Sequence, residues 1–557
     1  MLWFRRHIKD SEIAPDEIFL DSSNTPSFDR ARLEGRLERP LSEKSFFYIF
    51  GVLGVLFFIL IVRTAHLQIA QGKAFALQSE QNSLEVRTIF APRGVITDIN
   101  GIVIAENKER EDGTPVRQYT YPSFSHVLGY VSSPKKDAKG IYYETKQVGM
   151  AGVEAIYDEV LSGTNGQLLT EVDALGRVRS EGLIVRSESG ATLALTLDTR
   201  FQESLSQAIT ELALEKKFIA GAGVVLDVHT GAVRALVSYP SYDSNVMSSG
   251  GPAKTIASYN RNPGRAFLDH AVQGVYAPGS IVKPLVSAGA LTDGIITPKT
   301  IINDPGSLTV PNKYVPDKPY VFKGWRALGL MDVRSAIAWS SDVFFYTVGG
   351  GFESQKGLGI ERLAYWYQQF GLGAPTGILL PEEAVGRVPT PAWKEGAYDE
   401  PWYLADTYFT AIGQYAMQVT PLQMARATAA LVNGGRLLTP ILREGELQTE
   451  TRVPVTDEAL RVVQEGMRET VTEALATPLN FTYLKVAAKT GTAETGSRNQ
   501  YDNSWVVGFY PYDAPQYAFV VVLERGPAGT GSQAVQVMKR FFEALYDETQ
   551  SIEGVAQ

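Results

Sequence analysis

The chain has 557 residues, 44% hydrophobic and 20% charged, a globular composition with length for two or more domains. Its net charge of -9 supplies no basic footprint for nucleic acid. With no cysteine, disulfides, thiol catalysis and thiolate metal sites are excluded; the five histidines (His7, His66, His126, His229 and His270) are scattered without ligand spacing, so neither a metal nor a cofactor is expected.

Residues 1–44 are of mixed charge, broken by Pro15, Pro26 and Pro40, and too short and polar to form a domain. Within them, 29–43 reads either as a charge-laced helix at a membrane surface or as a disordered tail. Ser45 to Val62 then carries no charge over eighteen residues, about 27 Å as a helix and enough to span a bilayer with its flanks. The long preceding segment and the lack of a small-x-small cleavage site favour an anchor over a cleaved signal. Arg30, Arg32, Arg36, Arg39 and Lys44 precede the span, against Arg63 and Lys73 after it. The positive-inside rule therefore places residues 1–44 in the cytoplasm and everything after about His66 outside.

Residues 63–189 read as a separate, extended, β-rich pedestal. It begins with a helical stretch, 67–83, followed by short runs such as Val95 to Asp98 closed by the turn signal Asn100-Gly101, and a helix-like Val153 to Leu161 ended by Gly163-Thr164-Asn165-Gly166. A larger unit follows over 190–548, with a polar tail at 549–557. Leu205, Ala208, Ile209, Leu212 and Ala213 recur at helical spacing, and Gly221 to Asp227 with Ala232 to Ser238 predicts a hairpin around Thr230-Gly231. The middle, 263–435, reads as helix and loop. Three strand-like runs come late, at 485–488, 505–510 and 517–523, before a helix with Ala534, Met538, Phe541, Phe542 and Leu545 on one face. Strands at both ends with helices between predict an α+β domain, one sheet closed by both termini of the unit and flanked by helices.

Three short motifs carry chemistry. Ser280-Ile281-Val282-Lys283 follows Pro278-Gly279; in a helix beginning at about Gly279, the i, i+3 spacing sets a hydroxyl beside an amine. Serine needs a neighbour to take its proton. Lysine can do so only when neutral, which at an ordinary pKa is about one molecule in 2,500 at pH 7, so burial or a second cation must depress it. The Ser280 amide at the helix start would also face a developing oxyanion. Ser-x-x-Lys alone is common: Ser132/Lys135 and Ser133/Lys136 match too, but in a polar stretch broken by Pro134, whereas Ser280 leads into an apolar run to Leu291. Lys489-Thr490-Gly491-Thr492, at the end of the first late strand, offers the second cation, two hydroxyls for a substrate carboxylate, a glycine for close backbone approach and a second oxyanion amide at Thr492. Between them, Ser340-Ser341-Asp342 interrupts a helix-like 332–339; its default reading is a helix cap. Tyr276, Trp325, Trp339, Tyr346 and Trp402 could line a groove near these motifs but by composition are core residues.

The order Ser-x-x-Lys, Ser-x-Asp, Lys-Thr-Gly resembles that of penicillin-binding proteins and related lactamases. Together with Ala91-Pro92-Arg93-Gly94, Gly152-Val153-Glu154, Leu197-Asp198-Thr199-Arg200-Phe201-Gln202, Ala411-Ile412-Gly413-Gln414 and Val419-Thr420-Pro421-Leu422-Gln423, the chain is similar to class B penicillin-binding proteins of the penicillin-binding protein 2 group. Aspartate in the middle motif, instead of the commoner asparagine, is similar to some of that group. The membrane-proximal lobe is reduced: Glu106 passes to His126 through a short polar link. The resemblance implies a transpeptidase domain of the penicillin-binding and β-lactamase-like fold and D,D-transpeptidation of peptidoglycan stem peptides in cell elongation. It implies Ser280 as nucleophile and Lys283 as its base, with Lys489 nearby lowering the pKa of Lys283. Thr490, Gly491 and Thr492 would bind the substrate carboxylate, Ser340 would relay a proton, and Asp342 would orient Lys283 or the substrate amide. It further implies covalent binding of β-lactams and a SEDS-family membrane glycosyltransferase as partner. A hydrolase, either lactamase or D,D-carboxypeptidase, and a non-catalytic β-lactam sensor or scaffold share the motifs and are the alternatives.

Overall fold

A computed structural model describes residues 43–555, apart from 111–113, 139–141, 173–177, 313–314, 316 and 497–498. Segment 1–42, where a surface helix or a tail is expected, lies outside the described residues. The chain divides into two compact units, one comprising residues up to Glu85 with 171–179, the other 86–170 with everything from 180.

In the first unit, helix α1 (Glu43–Ala65) continues through a wider turn, His66–Ala70, and a further helix follows over Gly72–Ser83. Within Lys44–Ala70 an eighteen-residue window has a mean hydropathy of 2.7, and none of that window is buried in the protein. Its apolar side chains point outward all round, as lipid requires and water would penalise.

In the second unit the first module is built on a four-stranded sheet. Strands β1 (Ile96–Thr97), β2 (Val103–Glu109) and β3 (Pro115–Tyr119) run antiparallel in that order, and β4 (Leu193–Ala194) adds to β1 in parallel. The polar link expected after Glu106 is thus a hairpin, whose Lys108, Glu109 and Arg110 are exposed while Ile104, Ala105, Arg117 and Tyr119 are buried. The short helix α2 (Gly152–Ile156) delivers Glu154 to the module's interior. There Arg93 Nε lies 2.5 Å from one carboxylate oxygen and Arg117 Nε 2.6 Å from the other, with all three side chains at most 2% exposed. Two of the segments quoted for the resemblance therefore meet in one ion triad.

The main domain is a five-stranded antiparallel sheet with helices on both faces. Helix α3 (Thr199–Lys216) is capped by Asp198, whose side chain accepts from the Arg200 amide. The hairpin β5 (Ala220–Asp227) and β6 (Val233–Tyr239) turns at Gly231, φ +70°, a conformation that costs glycine nothing. After the helical middle come β7 (Ala487–Thr495), β8 (Tyr501–Tyr510) and β9 (Tyr517–Pro527), giving the order β6-β5-β9-β8-β7. Buried on both faces, β9 reads as the unbroken apolar run Phe519 to Leu523 with no alternation to betray it. One face packs on α3 and the C-terminal helix over Gln533–Val555, through Leu205, Ile209, Leu212, Met538, Phe541 and Phe542. That last helix runs past the expected end at 548. The other face packs on the helical middle through Val520, Val522, Leu285, Leu422 and Met467. Burying side chains of this size is worth roughly 1.5–3 kcal/mol each, and it fixes β7 as the free edge against which the nucleophile turn is set.

Candidate active site

The residues from Gly279 to Val282 form a single 3-10 turn, and the α-helix α4 (Lys283–Thr292) begins only at the lysine. Glycines hold this turn against β7. Gly279 has φ +59° and donates its amide to Gly413 O at 2.9 Å. A methyl group on Gly413 would sit 2.2 Å from Gly279 O, and one on Gly491 would sit 2.8 Å from Ile281 Cγ2. Strand β7 extends through the whole Lys-Thr-Gly-Thr motif, which the sequence had placed at a strand's end. The pleat therefore decides direction: Lys489 points inward at 0% exposed, while Thr490, Thr492 and Glu494 share the other face.

The third motif sits between α5 (Val333–Ala338) and α6 (Asp342–Gly350). Its middle residue is the cap: Ser341 Oγ accepts from the Phe344 amide at 3.0 Å and donates to the buried Asp304 carboxylate at 2.6 Å. Ser340 is held at φ +57°, a left-handed conformation that costs a non-glycine residue about 1 kcal/mol or more and persists only where the surroundings enforce it. Lys283 hydrogen-bonds the turn in this conformation. The lysine Nζ, fully buried, donates to Ser340 O at 2.9 Å, to Ser340 Oγ at 3.1 Å and to Asp342 Oδ1 at 2.7 Å.

Ser280, Ser340, Asp342, Thr490, Gly491 and Thr492 line one cleft of about 780 Å³, with Lys283 and Lys489 buried behind it. All eight residues singled out in the sequence are thus brought together. Among the described residues, Lys283 makes its hydrogen bonds to Ser340 and Asp342 and none to Ser280. Of the aromatic candidates, Trp325 and Tyr346 line the cleft; Tyr276 is buried, its hydroxyl 2.5 Å from His270 Nδ1. Arg326 lies between Trp325 and Trp339, 4.4 and 4.6 Å from the two rings, and stiffens that rim. Sequence reasoning missed Gln414, Tyr415 and Glu494 on the cleft wall. Glu494 was findable, since it is two residues beyond Thr492 on the same face of an edge strand.

Burial lowers the pKa of both lysines. At Lys283, Asp342 and, farther off, Asp304 oppose it; at Lys489, repulsion from Lys283 adds to it and pushes the group well down. Burial or a second cation was expected to depress Lys283. Burial does so, and the repulsion is felt at Lys489, where Asp342 opposes the shift without a hydrogen bond and, among the described residues, the ammonium donates only to Thr490 O at 2.7 Å. The arrangement offers a hydroxyl on a tight turn, a buried amine whose charge is destabilised, and hydroxyls on an edge strand across the cleft. Those are the elements of a serine acyl-transfer site.

Residues 221–543 match the family described as the penicillin binding protein transpeptidase domain, and residues 112–195 match the penicillin-binding protein dimerisation domain. The chain is 32% identical over 461 residues to the peptidoglycan D,D-transpeptidase MrdA of Haemophilus influenzae, covering 75% of this chain and 67% of that one. The crystal structure of Pseudomonas aeruginosa PBP2 superimposes with a TM-score of 0.68 at 30% identity, covering 83% and 96%. A chain of a peptidoglycan synthase complex that coordinates polymerization and crosslinking does so at 0.70 and 28%, covering 90% and 98%. The chain belongs to the penicillin-binding protein transpeptidase family, as a class B member of the penicillin-binding protein 2 type.

Proposed function

We propose that this chain is a peptidoglycan D,D-transpeptidase of the elongation type, cross-linking stem peptides through an acyl-enzyme on Ser280, and that β-lactams acylate the same serine. The observation that carries this reading is the buried Lys283 amine held by Ser340 and Asp342 at the back of a cleft that Ser280, Thr490 and Thr492 line. The terminal carboxylate of the donor peptide docks on Thr490 and Thr492. Its charge stabilises an ammonium on Lys489, and that cation in turn disfavours a proton on Lys283. Ser280 Oγ attacks the carbonyl between the terminal D-alanines as its proton passes to Lys283 Nζ, and the amides of Ser280 and Thr492 hold the oxyanion. Collapse expels D-alanine, whose amine receives the proton by way of Ser340 Oγ. The amine of a second stem peptide then attacks the ester, and Ser280 recovers its proton.

In this reading residues 1–44 are cytoplasmic, 45–62 cross the inner membrane, 63–189 form the pedestal and 190–548 the catalytic domain outside it. A SEDS-family membrane glycosyltransferase is the partner, consistent with the synthase complex among the structural relatives. The test is to give the full chain uncross-linked glycan polymer and analyse the muropeptides by mass spectrometry. Cross-linked dimers with released D-alanine are expected; trimmed monomers alone would make it a carboxypeptidase.

Asp342 sets the pH dependence. Its carboxylate favours the charged form of Lys283, so its removal lowers that pKa further and populates the neutral base at lower pH. In Asp342→Asn, the rising limb of penicillin acylation against pH should move to lower pH. A limb that stays in place would separate it from Lys283.

A further inference from the structure

At the C-terminal end of β7 a second cavity, of about 660 Å³, shares Tyr415 and Glu494 with the catalytic cleft. Three arginines line it, Arg265, Arg387 and Arg525. Arg265 is neutralised by Glu524, with both carboxylate oxygens within 3.2 Å of its Nη2. Among the described residues the other two have no carboxylate partner, yet both are held in place. Arg387 exchanges backbone hydrogen bonds with Gln418, donates from Nε to Ala416 O at 2.8 Å, and lies 4.8 Å from the ring of Trp393. Arg525, at φ +53°, has its amide bonded to Asn503 Oδ1 at 2.9 Å and its guanidinium 4.8 Å from the ring of Tyr501. Carbonyl and aromatic contacts fix these cations without neutralising them. Glu494, which accepts from Asn499 Nδ2 at 2.6 Å, is the other carboxylate on the wall beside Glu524, so three arginines face two carboxylates and the cavity keeps a net positive charge in a chain of net charge -9.

The cavity borders the cleft, and Ala277, three residues before Ser280, forms part of its wall. We propose that it binds a free carboxylate of the amine-bearing acceptor stem peptide, with Arg387 and Arg525 as positioning residues that bring the amine to the acyl-enzyme. This rests on the transpeptidase reading. Planar guanidinium groups match a carboxylate in two hydrogen bonds at once, which suits them to set direction as well as affinity.

The test acylates the full-length chain with a thioester donor peptide and offers two acceptors, a stem tripeptide with free carboxylates and the same peptide amidated. The readout is the ratio of transfer to the two, so any difference in acylation divides out. In Arg387→Gln/Arg525→Gln the ratio should fall by at least about tenfold, the worth of one charge-assisted hydrogen bond, with Arg387→Lys intermediate. A ratio unchanged within twofold in the double variant overturns the proposal. So does a variant effect that tracks amidation of the donor instead, which would assign the cavity to the donor strand. Failure of the wild type to acylate at all would overturn the transpeptidase reading itself, and the subsite with it.

Discussion

In Lys283→Met, acylation of Ser280 by penicillin falls by about a thousandfold while the fold survives. A positioned general base contributes roughly 10²–10⁴ in rate, and Lys283 is the amine nearest the nucleophile in sequence and the one anchored to both Ser340 and Asp342. Stability should hold or rise, because a fully buried ammonium costs several kcal/mol to desolvate and a methionine of similar length does not. The Asp342 side chain keeps 18% of its surface exposed, so water can take over from the lost lysine. Stopped-flow acylation with thermal unfolding as control checks both halves. A rate within tenfold of wild type would remove Lys283 from the proton path.

The second large effect lies far from the cleft. In Glu154→Ala, two guanidinium groups at most 2% exposed lose the carboxylate between them. Breaking a buried pair from one side costs about 3–5 kcal/mol, and here one deletion strips two cations. Arg93 keeps Asp158 at 2.7 Å, whereas Arg117 keeps only the Gly94 carbonyl at 2.8 Å. Hydrogen exchange of the strands over 96–119 should speed up by about two to four powers of ten, with the sheet of the main domain unaffected. Unchanged exchange would mean that the triad is decoration.

Much of this was legible in the chain itself. The long apolar helix announced itself by eighteen uncharged residues, and α3 by apolar residues that all proved buried. The sheet closed by both termini followed from strands at the two ends of the domain. The limits were physical. The strand over 487–495 was read too short because its motif residues are polar; what makes them a strand is pairing along the whole length of β8, from Ala487 with Phe509 to Thr495 with Tyr501. The cap at Ser341 could not be told from its neighbours, since any residue of Ser-Ser-Asp can cap; the choice depends on Asp304, 37 positions away. Nor could sequence say which lysine bears the repulsion, because that turns on Asp342 contacting Lys283 and not Lys489. The charged hairpin over 103–119 passed for a link because the exposed run Lys108, Glu109 and Arg110 is polar and two of its buried positions, Thr114 and Arg117, are polar as well.

The central claim is that Ser280 is the nucleophile, and the direct measurement is intact mass of the full-length chain after exposure to penicillin, beside Ser280→Ala. The account predicts a stable adduct of one penicillin on the wild type and none on the variant. An adduct that persists in Ser280→Ala, or a folded wild type that takes up no penicillin, would contradict it.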